Sequence, residues 1–116
     1  EETQLLVNSI IDGIQEKKGG IVTVDLRHII TAPCAYFVIC TAANPLQVDA
    51  IADSVEEFAR KQAHEKPANI AGRQNAEWVA MDYGTVMVHI FVPEAREHYD
   101  LETLDDAELT EVADLD

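Results

Sequence analysis

The sequence predicts an α/β (α+β) domain in which a small mixed β-sheet is flanked by helices. Three observations carry that prediction. Apolar residues recur at three-to-four spacing in two segments, 3–18 and 44–64, as on one face of a helix. Short β-branched or continuously apolar runs stand between them, IVTVDL at 21–26 and YFVICT at 36–41. A third apolar block, 77–92, alternates in a way that suits a hairpin. At 116 residues the chain makes one domain, long enough to bury a core.

In chain order, Leu6, Val7, Ile10, Ile11 and Ile14 form the stripe of a first helix over 3–18. Lys17 and Lys18 suit its C-terminal dipole, and Gly19-Gly20 stops it. Residues 21–26 read as a strand, and Pro33 makes 28–35 a connection. The run 36–41 has no polar face, so it predicts a central strand covered on both sides. A second helix opens with Asn44 as N-cap, Pro45 at the first helical position and Gln47 at the capping-box position. Its stripe Val48, Ile51, Ala52, Val55, Phe58 and Ala59 continues to near His64. Pro67 and Gly72 make 65–76 a loop, with a short strand near 69–71. Two strands, 77–82 and 85–92, flank a turn at Tyr83-Gly84, where glycine supplies a positive φ. Pro93 opens a short helix in which Arg96 and Asp100 stand at i,i+4 spacing. The compact domain is thus 1–104. Half of the residues in 105–116 are acidic, which predicts a frayed or disordered tail; Leu104, Leu109, Val112 and Leu115 offer it only a weak helical face.

Two-residue turn geometry pairs Asp82 with Thr85, Ala80 with Met87 and Trp78 with His89. One hairpin face then carries Val79, Met81, Val86, Val88, Ile90 and Val92, an ordinary core face. The other carries Trp78, Ala80, Asp82, Thr85, Met87, His89 and Phe91. Aromatic groups and Met bordered by polar groups are what protein-binding surfaces are made of. The competing reading is that a helix covers this face and Trp78 is plain core.

Composition excludes several classes. A net charge of −14, with the few lysines and arginines scattered, argues against direct nucleic-acid binding and suits solubility or a basic partner. The apolar runs are too short for a membrane span, and no signal peptide is read; the chain begins at Glu1 rather than Met. Cys34 and Cys40 are too few for a disulfide framework and are not in a CxxC arrangement, which suits a reducing cytoplasm.

The catalytic inventory is sparse. The chain has neither GxGxxG nor GxxxxGK[ST], and no HExxH or Cys/His cluster that would hold a metal. His28, His64, His89 and His98 fall in four different segments, and no local motif makes a thiol nucleophile of Cys34 or Cys40. Asp25 and Asp82 end strands, where turn or capping roles are usual. A metal-dependent enzyme would have to use them with His89. No cofactor, metal or catalytic residue is predicted, and the chain reads as a binding module.

The segments IVTVDL at 21–26, AYFVICTA at 35–42, QVDAIADSVEE at 47–57 and WVAMDYGTVMVHIFVPEAREHYDLETL at 78–104 together resemble the ribosomal silencing factor family, also called Iojap. The resemblance covers about residues 3–104, and its last block is long and specific. It implies a mixed sheet flanked by helices, similar to nucleotidyltransferase domains, but no catalysis. It also implies a cytoplasmic, ribosome-associated translational repressor. Such a protein binds ribosomal protein fourteen of the large subunit and sterically blocks joining of the small subunit when nutrients are scarce. Organellar relatives support large-subunit assembly, and some members are homodimers when free. Trp78, Asp82, Tyr83, Gly84, His89, Phe91, Glu94, Arg96 and Tyr99 match the family signature. The residues expected at the partner are Trp78, Tyr83, Met87, His89, Asp82, Arg96 and Tyr99, with Tyr83 at the hairpin tip. The chain departs from the family pattern at Thr41-Ala42-Ala43, where a glycine is usual, and at Asp105, where a tryptophan often follows the last leucine.

Overall fold

The computed structural model describes residues 2–17, 20–29, 32, 34–98 and 108–112. In chain order they form α1 (Glu2–Glu16), β1 (Gly20–Asp25), β2 (Tyr36–Thr41) and α2 (Pro45–Phe58). A π-helical turn, Ala59–Ala63, extends α2. Then come β3 (Asn69–Ala71), β4 (Trp78–Asp82), β5 (Val86–Phe91), α3 (Pro93–His98) and β6 (Glu108–Val112). The strands make one sheet in the order β3-β4-β5-β2-β1-β6. Only β2 and β5 run parallel; the other neighbours are antiparallel, so the sheet is mixed as the sequence predicts.

The continuous apolar run of β2 lies inside the sheet, between β1 and β5, and its central residues Phe37, Val38, Ile39 and Cys40 are all buried. Helices α1 and α2 cover one face. Their stripes, Leu6, Val7, Ile10 and Ile14 with Val48, Ile51, Ala52 and Val55, pack on Val38, Cys40, Val79, Met81, Val86, Val88 and Ile90. The two helices approach closely at Gly13. A Cβ there would stand 3.0 Å from the Ser54 carbonyl oxygen and the Val55 Cα, and the Ser54 hydroxyl donates to the Gly13 carbonyl at 2.7 Å. The Asn44 side chain caps α2 by accepting from the Gln47 N–H at 2.9 Å. The Gln47 side chain reaches back one residue further than a capping box requires, to the Ala43 N–H at 2.6 Å. Its amide also donates to the Lys17 carbonyl, which ties the start of α2 to the end of α1.

The hairpin departs from the expected register. Its pairs are Trp78 with Phe91, Ala80 with His89 and Asp82 with Met87. Tyr83 N–H donates to the Val86 carbonyl, so Gly84 and Thr85 form the turn and Tyr83 belongs to the ladder end. Gly84, at φ +84°, takes the conformation that only glycine adopts without strain. The turn centre moves by one residue, which slips the register by two and leaves every side chain on its expected face.

The acidic end departs too. Glu108–Val112 is not frayed but pairs antiparallel with β1 and extends the sheet beyond it. Overall acidity masked an alternation, Glu-Leu-Thr-Glu-Val, that suits a strand. Asp100, expected to pair with Arg96, lies outside the described residues, as do residues 105–107 and 113–116 of the expected tail.

Candidate functional site

The sheet face turned away from α1 and α2 carries a second, smaller apolar cluster: Val24, Leu26, Phe37, Ile39 and Phe91. Toward the β4 side it becomes an aromatic platform. Phe91 is fully buried, and the Trp78 indole stacks on it with centroids 5.4 Å apart and planes 25° apart. The His89 ring lies nearly parallel to Phe91 at 5.9 Å, and Phe37 meets His89 edge-on at 5.2 Å. Strand parity explains the grouping. Trp78 and Phe91 are direct cross-strand partners, His89 sits two residues before Phe91, and Ile39 of β2 stands beside His89.

Trp78 is the outer member and remains 42% exposed. Its indole N–H donates to His89 Nδ1 at 3.1 Å. That bond places the His89 proton on Nε2 in the neutral ring. Burial, with the nearby Arg96 charge adding to it, lowers the His89 pKa to about 4, so the ring is uncharged at neutral pH. The Arg96 guanidinium stands over the Phe91 ring at 5.9 Å. The indole is thus held on a stacked ring below and a hydrogen bond at its edge, with one side left to solvent.

The other expected contact residues divide. Met87 shares the platform's cluster and is half-buried. Asp82 lies on the same face by parity, but its carboxylate accepts from the Gly84 N–H at 2.8 Å and so shapes the turn. Arg96 borders the platform through Phe91. Tyr83 does not stand at an exposed tip. It is 7% exposed and packs in the core beneath the helices, because it shares the parity of Val79 and Met81. Burial, and then the charges of Glu56 and Glu65, push its phenol pKa up. Its hydroxyl has no hydrogen-bond partner among the described residues. Tyr99 lies outside the described residues.

The residues an enzyme would need are kept apart. Asp25 pairs with Tyr36, which packs toward the helices, whereas Asp82 and His89 belong to the opposite face. Three inter-strand steps separate β1 from β4, about 14 Å. Asp25 is also engaged by Arg27, whose guanidinium donates to both carboxylate oxygens and holds that carboxyl below its usual range. Among the described residues, no group of three or more His, Cys, Asp or Glu is placed to hold a metal ion.

Two features escaped the sequence. Phe37 supports His89, but a run apolar on every side does not say which of its residues faces the platform. Arg73, in the loop before β4, forks onto Asp49, Asp53 and Glu56 along α2 at 2.6, 2.8 and 3.3 Å. The 4- and 3-residue spacing of those acids was the available signal.

Comparison with known proteins concerns the chain as a whole. Residues 1–116 match the family described as "Ribosomal silencing factor during starvation". A protein of Halalkalibacterium halodurans named Ribosomal silencing factor RsfS is 34% identical over 104 residues, which cover 90% of this chain and 85% of that one. The mouse protein named Mitochondrial assembly of ribosomal large subunit protein 1 is 30% identical over 71 residues, 60% of this chain and 31% of its own length. Among solved structures, a Chromobacterium violaceum protein superimposes with a TM-score of 0.78 at 29% identity, covering 85% of this chain and 82% of that one.

Proposed function

The chain belongs to the ribosomal silencing factor family, and from that premise we propose that it is a translational repressor acting by occlusion. It binds the large ribosomal subunit through ribosomal protein fourteen, seats that protein on the Trp78 platform, and so obstructs joining of the small subunit when nutrients are limiting. The observation that carries the reading is the exposed indole held rigidly on Phe91 and His89. A large aromatic anchor with few rotamers to freeze is the usual centre of a protein–protein hot spot. A net charge of −14 favours a basic ribosomal protein and speeds its encounter with this chain. The role is regulatory rather than catalytic, and no cofactor takes part in it.

The name of the mouse relative favours a second reading, in which the same contact serves large-subunit assembly without silencing. One experiment separates the two. Purified protein is bound to large subunits, small subunits are added, and joined particles are followed on a sucrose gradient. Co-sedimentation with loss of joined particles supports silencing. Co-sedimentation with normal joining supports the assembly role, and absence of co-sedimentation overturns both.

A further inference from the structure

Trp78 stands directly after the loop, 72–77, that joins β3 to β4. Two neighbours bracket its backbone. Val92 N–H donates to the Glu77 carbonyl at 2.9 Å, which ties the residue before Trp78 to the end of β5. Gly72 lies so close that a Cβ there would overlap the Trp78 carbonyl oxygen and stand 3.1 Å from the Trp78 carbonyl carbon. Both are backbone atoms, so no side chain could swing aside to make room. Gly72 also sits at φ +89°, where other residues are strained. The loop therefore rests directly on the Trp78 peptide.

The same loop is fastened to the helical layer. Ala76 N–H donates to the Gly72 carbonyl at 2.9 Å and closes the turn. Ala76 takes φ +56°, a left-handed conformation unfavourable for alanine, and its methyl is buried in the cluster beneath α1 and α2. Strain of that kind persists only where the surroundings over-determine the backbone. Arg73 supplies a second fastening through its fork onto Asp49, Asp53 and Glu56 of α2. Reversing the chain between two antiparallel strands requires neither the strain at Ala76 nor the close approach at Gly72. What these features achieve together is a rigid link from α2 and the core to the backbone of the residue that carries the exposed indole.

We propose that this loop is the positioning element of the anchor. Gly72, Arg73 and Ala76 act through Trp78. They fix its backbone so that the indole already lies on Phe91 and His89 when the partner arrives, and the cost of ordering it falls on folding rather than on binding. The inference rests on the reading of the Trp78 face as the ribosome-binding surface, and it gives that face a support from the helical side of the sheet.

Trp78 is the sole tryptophan, so its fluorescence reports on the anchor directly. Acrylamide quenching of the free protein and affinity for isolated large subunits are measured well below the melting transition, at matched folded concentration, for wild type, Gly72→Ala and Arg73→Gln. Trp78→Ala is included for affinity. Ile10→Ala on α1 is the control, since it weakens the fold and leaves the loop and its α2 partners intact. Gly72→Ala must displace the Trp78 peptide and is expected to raise quenching and weaken binding about tenfold; Arg73→Gln frees one fastening and is expected to weaken it about threefold. The control should leave both readings as in wild type. Arg73 is partly exposed, so its variant decides the matter should Gly72→Ala fail to fold. If the folded loop variants quench and bind like wild type while Trp78→Ala is impaired, the positioning role is overturned and the platform reading stands. If Ile10→Ala changes both readings as much as Arg73→Gln does, the loop is merely structural and the proposal is overturned. If Trp78→Ala binds as tightly as wild type, the platform reading fails and the loop's role fails with it.

Discussion

The two faces of this sheet are built from the same strands and end in opposite conditions. Toward α1 and α2, Val38, Cys40, Val79, Met81, Val86, Val88 and Ile90 are closed off, each less than 1% exposed. Toward the other side, alternate residues of the same strands build a thinner cluster that ends in a half-open indole. Both faces bury large apolar groups; the closed face also encloses the Tyr83 hydroxyl, whereas on the open face the indole N–H is paired with the His89 imidazole. The difference separates what folds the domain from what the domain presents. An aromatic is costly to leave in water, and under the proposed function this half-open one is what the partner covers.

Truncation on the closed face sharpens the contrast most. Ile51→Ala, at a fully buried position beneath the helices, is expected to cost about 3 kcal/mol of stability through lost contacts and a residual cavity. Urea unfolding gives the value, and the surviving folded fraction should bind large subunits as wild type does. A loss of affinity without a loss of stability would break the division between the faces.

Acid probes the paired polar atoms of the open face. His89 is held near a pKa of about 4 in the fold against 6.5 ordinarily. The unfolded chain therefore takes up a proton first. The stability that depends on neutral His89 is fully present above 6.5, falls by about 1.4 kcal/mol per pH unit toward 4, and is flat below that. His89→Gln keeps an acceptor for the indole and removes the titration. Its stability, measured from pH 7 to 4, should converge on wild type as the pH falls. Parallel curves would mean that His89 is not buried neutral.

Trp78→Ala should separate binding from folding. It removes the exposed anchor and is expected to cost roughly 2 kcal/mol or more of binding energy. The melting curve records separately the stability lost when Phe91 is uncovered and His89 loses its donor. A folded variant that binds large subunits as well as wild type would remove the platform from the interface. The smallest effect is expected at Arg73. Its guanidinium is only partly buried among three partly or fully exposed acids, so Arg73→Gln should lower stability by about 1 kcal/mol or less, and less again at high salt. A larger loss would make the β3–β4 loop part of the folding core.

Much of this was legible because side-chain parity survives errors of position. The turn sits one residue later than Tyr-Gly suggests, since Gly84 can serve at either central place in a turn. The faces nevertheless came out right, because that displacement preserves parity. Tyr83 was misplaced for the same reason, since a residue taken for a loop tip loses its parity argument and becomes a buried strand end. The support of His89 by Phe37 was not readable, because the central residues of β2, Phe37 to Cys40, are all apolar and mark no face. The outermost strand was hidden by composition, because acidic residues suppress a strand reading even where pairing to β1 is available.

The most direct test of the central claim is subunit joining with wild type and Trp78→Ala side by side at matched folded concentration. Occlusion through the platform predicts that wild type lowers the yield of joined particles on a gradient and that the variant restores it. Equal inhibition by both proteins would contradict a Trp78-centred interface, and joining unaffected by wild type would contradict silencing itself.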